Sequence, residues 1–148
     1  MATNSTAISY PAQSATSSKQ LIVLLGRFFF AAIFLMFGLG HFSKQMIGYA
    51  ASQGMPLASI AVPVSGLIAL AGGLSILLGY RANLGAWLIV LFLVPVTFMM
   101  HKFWAVADPM MAQMQMAMFM KNISMLGGAL LISQYGAGPF SLDARRSR

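Results

Sequence analysis

The chain is short of the residues that most enzyme chemistry uses. It has no cysteine, no glutamate and two aspartates among its 148 residues. Without cysteine it forms no disulfide, thiolate zinc site or iron–sulfur cluster of its own. With two carboxylic acids in all, paired-carboxylate catalysis of the glycosidase or aspartic-protease type is excluded.

Charge is also scarce. Charged residues make up 7% of the chain and hydrophobic residues 59%, whereas a soluble domain is roughly 25% charged. Because so little polar surface cannot cover a water-soluble globule, the chain belongs in a bilayer. Its net charge of +7 comes from single, scattered cations, which fits anionic lipid headgroups and does not indicate nucleic-acid binding.

Four long apolar segments fill most of the chain, at residues 21–40, 57–80, 84–100 and 109–135. Each is long enough as a helix to cross a hydrocarbon core of about 30 Å. The chain is therefore predicted to be an all-α, integral membrane four-helix bundle over residues 21–135. Residues 1–20 are predicted to form a mobile N-terminal tail, and residues 136–148 a basic C-terminal tail.

The cations predict how the bundle is oriented. An even number of spans puts both termini on one side, which then collects Lys19, Arg81, Arg145, Arg146 and Arg148. The loops of the other side carry only Lys44 and Lys102. The positive-inside rule predicts that both termini are cytoplasmic. The predicted location is a bacterial inner membrane, which the chain crosses several times.

Lys121 and Asn122 lie side by side in the last apolar segment. An ionisable residue inside a membrane span is by default a candidate functional site. The predicted topology brings other polar groups to the same outer side, at the ends of the first and third helices. The candidate ligand-binding pocket consists of His41, Lys44, His101, Lys102, Lys121 and Asn122. Because it holds no acid, it would suit a small oxyanion, a quinone carbonyl or a lipid phosphate.

Some of these residues also have a simpler interpretation. Lys44 and Lys102 fit ordinary interfacial lysines. Lys121 and Asn122 can serve a structural role by hydrogen-bonding to carbonyl groups of a neighbouring helix.

The remaining polar and sulfur-containing residues have several interpretations. Arg27 and Arg81 are predicted to bind lipid headgroups, Arg27 by extending its side chain to the near interface. The two histidines allow a bis-imidazole haem. Methionines crowd residues 110–120 and flank His101, which allows a Cu(I) site. Methionine also fills helix packing without binding metal, and no metal site is predicted.

Several short motifs occur in order between residues 24 and 143. They are Arg27, the helix end from Gly38 to Lys44, Gly54 to Pro56, Gly72 to Gly79, Lys121-Asn122 followed by Leu126 to Gly128, and finally Gly136, Gly138, Ser141 and Asp143. Together they resemble the DoxX family of small four-helix bacterial and archaeal membrane proteins. The resemblance implies the same fold and a link to redox membrane complexes. The chain departs from it at Ala69 or a neighbour, where many members carry glutamate.

The favoured hypothesis is an accessory, structural subunit of a redox-linked inner-membrane complex that holds a quinone or a lipid near Lys121. One alternative is the membrane part of a thiosulfate:quinone-type oxidoreductase, and a second is a copper-handling membrane protein. The expected partners are membrane lipids and other membrane-protein subunits, and not nucleic acid. The sequence leaves open whether the protein is an enzyme, and quinone is the one cofactor that it suggests.

Overall fold

The computed structural model describes residues 13–146, with side chains described from Ser18 onward. The α-helices are α1 (Gln13–Gly38), α2 (Lys44–Ser52), α3 (Ala58–Leu78), α4 (Ala82–Met100), α5 (Pro109–Tyr135) and α6 (Leu142–Arg146). Two 3-10 turns, Leu39–Phe42 and Phe103–Ala105, follow α1 and α4. Within residues 13–146 there is no strand.

Four segments are long and apolar enough to cross a membrane. They are Ser18–Phe42, Ala58–Leu78, Ala82–Ala105 and Pro109–Tyr135. Large apolar side chains on them remain exposed, Phe29 at 69% for example, as expected for helices whose outer faces contact lipid. The prediction of an all-α protein with four membrane spans is confirmed. The side of the membrane on which the termini lie stays a prediction.

Consecutive spans pack against each other. α1 packs on α3, α3 on α4 and α4 on α5. Small residues allow the close crossings: a Cβ atom on Gly72 of α3 would lie 2.9 Å from the carbonyl oxygen of Gly85 on α4. α1 and α5 meet through a side chain, because the ring of Phe30 fills the space beside Gly128. The bundle is therefore tight between sequence neighbours and more open between α1 and α5.

The two ends of the bundle differ. We call the end with α2 and the turn Phe103–Ala105 the cap end, and the end with α6 the tail end. At the cap end, α2 packs on α3 through a small apolar cluster of Ala50, Ala58 and Val62. Ser43 starts α2, since its Oγ accepts a hydrogen bond from the Met46 amide at 3.2 Å.

α4 and α5 are antiparallel, and two contacts give their register. Near the tail end Asn83 Nδ2 donates to the Ser133 carbonyl at 2.7 Å. At the cap end His101 Nδ1 lies 2.8 Å from Gln115 Oε1. Both pairs fit one antiparallel register, which places residue 116 of α5 opposite Met100, the last residue of α4. Residues 109–115 of α5 therefore extend past the end of α4. This overhang is about 10 Å long at 1.5 Å per residue.

Three predicted boundaries differ from the structure. α1 begins at Gln13, so residues 13–20 of the predicted tail are helical, while residues 1–12 lie outside the described residues. The segment between the first two predicted spans contains α2, which is too short for its apolar spacing to stand out in the sequence. The predicted C-terminal tail contains α6, and Asp143 at its start donates its amide proton to the Gly79 carbonyl at 2.8 Å.

Candidate functional site

A cavity of about 300 Å³ lies at the cap end, between α1, α2, α3, α4 and α5. This volume is at the lower end of the range for small-molecule sites in proteins. Its walls are mainly apolar, and the polar side chains that line it include His41, His101, Lys121 and Asn122. The structure thus brings together four of the six residues predicted from the sequence.

The cavity opens where α1, α2 and α5 meet. Its lining includes exposed side chains from each of these helices, Phe37, Tyr49 and Lys121. The seam between α1 and α5 is the loosely packed one, and Phe30 lies deeper in it, beside Gly128. An entrance at this seam would face the hydrocarbon region of a bilayer as well as its interface.

Asn122 is the most enclosed polar side chain of the cavity. It is 5% exposed, and among the described residues its amide has no hydrogen-bond partner. In the described part of the chain, the one side-chain polar atom that is fully enclosed and without a partner is Nε of Arg27. The Asn122 amide is therefore not sealed within the protein, and the cavity that Asn122 lines can supply a ligand or water as its partner.

Lys121 lies at the mouth of the cavity. It is exposed, and its Nζ donates to the Met118 sulfur at 3.5 Å, one turn earlier on the same helix. By the register of α4 and α5 it is level with Pro95, about 7.5 Å inside the end of α4. Neither Lys121 nor Asn122 donates to a neighbouring helix in the described part of the chain, so the bonds that a purely structural role requires are not seen.

The two histidines occupy different levels of the cavity. His41 stacks edge-on against Phe92, with ring centroids 5.5 Å apart. His101 follows Phe92 by nine residues, which is about 13 Å along a helix. Both imidazoles line the same cavity, and the bis-imidazole interpretation stays a hypothesis.

Lys44 and Lys102 do not line the cavity. Lys44 is exposed at the start of α2. Lys102 donates from Nζ to the Gln53 carbonyl at 3.1 Å, which ties the end of α4 to the end of α2. These placements fit interfacial or structural lysines.

Arg27 lies at the tail end, where the C-terminal segment covers it. It is 4% exposed; Nη1 donates to the Ala137 carbonyl at 2.8 Å and Nη2 to the Phe140 carbonyl at 2.9 Å. This placement differs from the predicted headgroup contact, because the C-terminal segment encloses the guanidinium. Arg81 is exposed beside the Tyr80 ring, where a headgroup contact stays a prediction.

The methionines of α5 do not converge on a metal site. Between Met110 and Met120 their side chains are 37–77% exposed and none of them lines the cavity. Within residues 13–146 no three histidine or acidic side chains are grouped closely enough to hold a metal ion.

The sequence did not indicate the walls of the cavity. Phe34, Phe37 and Phe92 form part of them, together with Met55 and Met100. Such residues look like ordinary lipid-facing or core residues in a chain this apolar. α2 was not predicted either, so nothing in the sequence indicated that Tyr49 lines the cavity.

Comparison with known proteins gives the family. The model of the SURF4 family matches residues 3–148. The chain belongs to the SURF4 family. It is 27% identical to inner membrane protein YphA of Escherichia coli over 134 residues, covering 87% of this chain and 93% of the relative. It is 30% identical to inner membrane protein YqjF of the same organism over 125 residues, covering 82% and 88%. No solved structure matches the chain.

The match corrects the resemblance to the DoxX family, which was wrong. The motifs quoted for it are short and rich in glycine. In the structure several of them form packing contacts or caps: Gly72 lies against Gly85, Ser141 accepts from the Ala144 amide, and Asp143 caps α4. The predicted location is confirmed by the two relatives and the four apolar helices: this SURF4-family member is a multi-pass inner membrane protein.

Proposed function

We propose that this SURF4-family protein is a non-catalytic membrane subunit that holds one amphipathic molecule, a quinone or a lipid, in the cavity at the cap end. The observation that carries the proposal is Asn122. The residue is 5% exposed and lies at the wall of a cavity of about 300 Å³, and its amide has no partner among the described residues. A ligand with a polar head would supply that partner.

The shape of the cavity supports an amphipathic ligand. Apolar side chains of all five surrounding helices line most of it, which suits a hydrocarbon tail or a ring. Its polar side chains are few and include a cation at the mouth, Lys121. The open seam between α1 and α5 gives a membrane-dissolved molecule a lateral route to the cavity.

The two acids of the chain support binding rather than catalysis. Asp108 accepts from the Met111 amide at 2.8 Å and caps α5. Asp143 accepts from the Arg81 and Ala82 amides at 2.8 and 3.1 Å and caps α4. Neither lines the cavity, so no carboxylate is positioned there as a general acid or base.

Other subunits are part of the proposal as well. Residues 109–115 of α5 extend beyond α4 and carry exposed methionines, Met110 at 77% and Met114 at 54%. Flexible thioether side chains suit contacts with other proteins. The redox link and the thiosulfate:quinone alternative came from the DoxX resemblance and lose that support with it. The copper alternative was based mainly on the methionines between Met110 and Met120, none of which lines the cavity.

Mass spectrometry of bound amphiphiles tests the proposal. The full-length protein, purified in a mild detergent, is extracted with organic solvent, and the recovered lipids and quinones are quantified per mole of protein. We expect one species near one mole per mole, reduced severalfold in Asn122→Leu. Ser124→Ala, two residues further on the exposed surface of α5, is the matched control and should retain it. A folded wild type that retains no specific amphiphile would contradict the proposal.

A further inference from the structure

The hydrogen bonds of the two cavity histidines determine what their remaining nitrogen atoms can do. His41 Nδ1 lies 3.1 Å from the Phe37 carbonyl, and a carbonyl oxygen only accepts, so Nδ1 carries the proton. His101 Nδ1 donates in the same way to Gln115 Oε1 at 2.8 Å. In a neutral imidazole with a protonated Nδ1, Nε2 is a hydrogen-bond acceptor. Among the described residues no donor reaches either Nε2 atom.

These two acceptors stand at the two levels of the cavity. His41 lies beside Phe92, and His101 follows Phe92 by nine residues, so the backbones of Phe92 and His101 are about 13 Å apart along the helix axis. A six-membered ring with a hydroxyl at each end reaches acceptors roughly 11 Å apart when each hydroxyl donates a hydrogen bond of about 2.8 Å, so such a ring can present one hydroxyl towards each level. Asn122 lies between the two levels and offers both donors and an acceptor.

The walls between the histidines suit a flat ring. Phe34 and Phe92 pack edge to face, with centroids 6.2 Å apart, and both line the cavity with Met125. Aromatic rings favour such edge-to-face partners, and methionine sulfur packs well against ring edges. By contrast, Lys121 is the one lysine or arginine that lines the cavity, which is little charge to hold a phosphate in apolar surroundings.

From these contacts we infer that the ligand head is a planar ring with two opposed hydroxyl groups, so that the cavity binds a quinol more tightly than the corresponding quinone. This inference rests on the proposed binding function and names the chemical class of its ligand. The hydroxyl groups of the reduced ring donate to Nε2 of His41 and of His101. The oxidised ring presents carbonyl oxygens to these Nε2 atoms. Both the carbonyl oxygen and Nε2 are acceptors, so no hydrogen bond forms between them.

Anaerobic titration calorimetry of the purified full-length protein tests the inference. The probe is a decyl-substituted dimethoxy benzoquinone, in its oxidised form and after reduction with borohydride. One neutral hydrogen bond contributes about fivefold in affinity, so we expect the reduced form to bind at least tenfold tighter. His41→Phe and His101→Phe should each lower this ratio about fivefold, with little change for the oxidised form. His41→Gln keeps a hydrogen-bond acceptor, so its ratio of affinities for the reduced and oxidised rings should return to that of the wild type.

A control and a competitor make the result decisive. Ser65 also lines the cavity, but its hydroxyl already donates to the Val62 carbonyl at 2.7 Å, so Ser65→Ala should leave the ratio unchanged. Equal affinities for the two ring forms, or a ratio that neither phenylalanine variant alters, would overturn the inference. If phosphatidylglycerol in mixed micelles binds and neither ring form does, the inference fails while the proposed function stands. If no probe binds and no amphiphile co-purifies, both fail.

Discussion

The guanidinium of Arg27 donates a hydrogen bond to the carbonyl oxygen of Ala137 at 2.8 Å, across 110 residues of chain. It joins the first span to the segment that follows the last one. A second bond from the same side chain reaches the Phe140 carbonyl. The residues after α5 therefore close the tail end of the bundle and belong to the folded domain.

Removing this arginine should loosen the C-terminal segment. Arg27→Met leaves the buried Ala137 carbonyl and the partly buried Phe140 carbonyl without this donor, and we expect the free energy of unfolding to fall by roughly 2–4 kcal/mol. Thermal denaturation in detergent, together with limited proteolysis of the C-terminus, measures the effect. Arg145→Met is the control, because Arg145 is exposed and a single exposed cation contributes little. Equal melting temperatures for the two variants would contradict this prediction.

The two aspartates should differ in their effect on stability, although both cap helices. Asp143 caps α4 from 61 residues away and holds α6 at the tail end, whereas Asp108 caps the overhang of α5. We expect Asp143→Ala to cost about 1–2 kcal/mol. Asp108→Ala should cost less, because most of residues 109–115 are exposed and can fray locally. Melting temperatures of the two variants compare them, and a larger loss for Asp108→Ala would refute this account of the tail end.

Much of the fold could be predicted from composition and length, because spans of about 20 apolar residues have few alternatives in a bilayer. The start of α5 was predictable from Asp108 followed by Pro109, and the structure shows this cap. α2 was not, because its nine residues lie among polar and small ones. The role of Arg27 depends on a contact across 110 residues, which no local pattern reveals.

The glycines of the helices should respond differently to added volume. A Cβ on Gly72 would lie 2.8 Å from an Ile89 methyl and 2.9 Å from the Gly85 carbonyl, so the backbones would have to separate. We expect Gly72→Ala to destabilise the protein by about 1–3 kcal/mol. Gly127→Ala is the matched control, since nothing lies within 4 Å of its Cβ position and alanine favours helix. A neutral Gly72→Ala in thermal denaturation would show that the α3–α4 crossing is looser than described.

The site was predictable only in part, because the sequence does not show the direction in which each side chain points. His41, His101, Lys121 and Asn122 stood out as polar residues in apolar surroundings, and the cavity unites them. Lys44 and Lys102 share their chemistry but lie outside it. Sequence order places residues at one end of the bundle, whereas the direction of each side chain depends on how α2 and α4 pack. The apolar walls of the cavity carry no distinguishing signal in a chain with 59% hydrophobic residues.

Lys121 should matter for the ligand and not for folding. Its side chain is exposed at the mouth of the cavity, and its Nζ donates to the Met118 sulfur. We expect Lys121→Met to insert and melt like the wild type but to retain severalfold less of the bound amphiphile. Lys44→Met removes another exposed lysine of the cap end that does not line the cavity, and it should have no effect. Loss of expression or assembly in Lys121→Met alone would instead indicate a structural role.

The absence of cysteine makes the orientation of the bundle directly testable. Five cations mark the tail end and its flanking segments in the sequence, namely Lys19, Arg81, Arg145, Arg146 and Arg148, so the positive-inside rule predicts that this end is cytoplasmic. Ser52→Cys at the cap end and Arg146→Cys at the tail end place single thiols at exposed positions.

In intact cells with the outer membrane permeabilised, a membrane-impermeant maleimide should label Ser52→Cys, and Arg146→Cys should react only after the inner membrane is opened. The reverse pattern would put the cavity mouth on the cytoplasmic side. Labelling of both variants in intact cells would reveal two orientations, which the charge bias of the loops argues against.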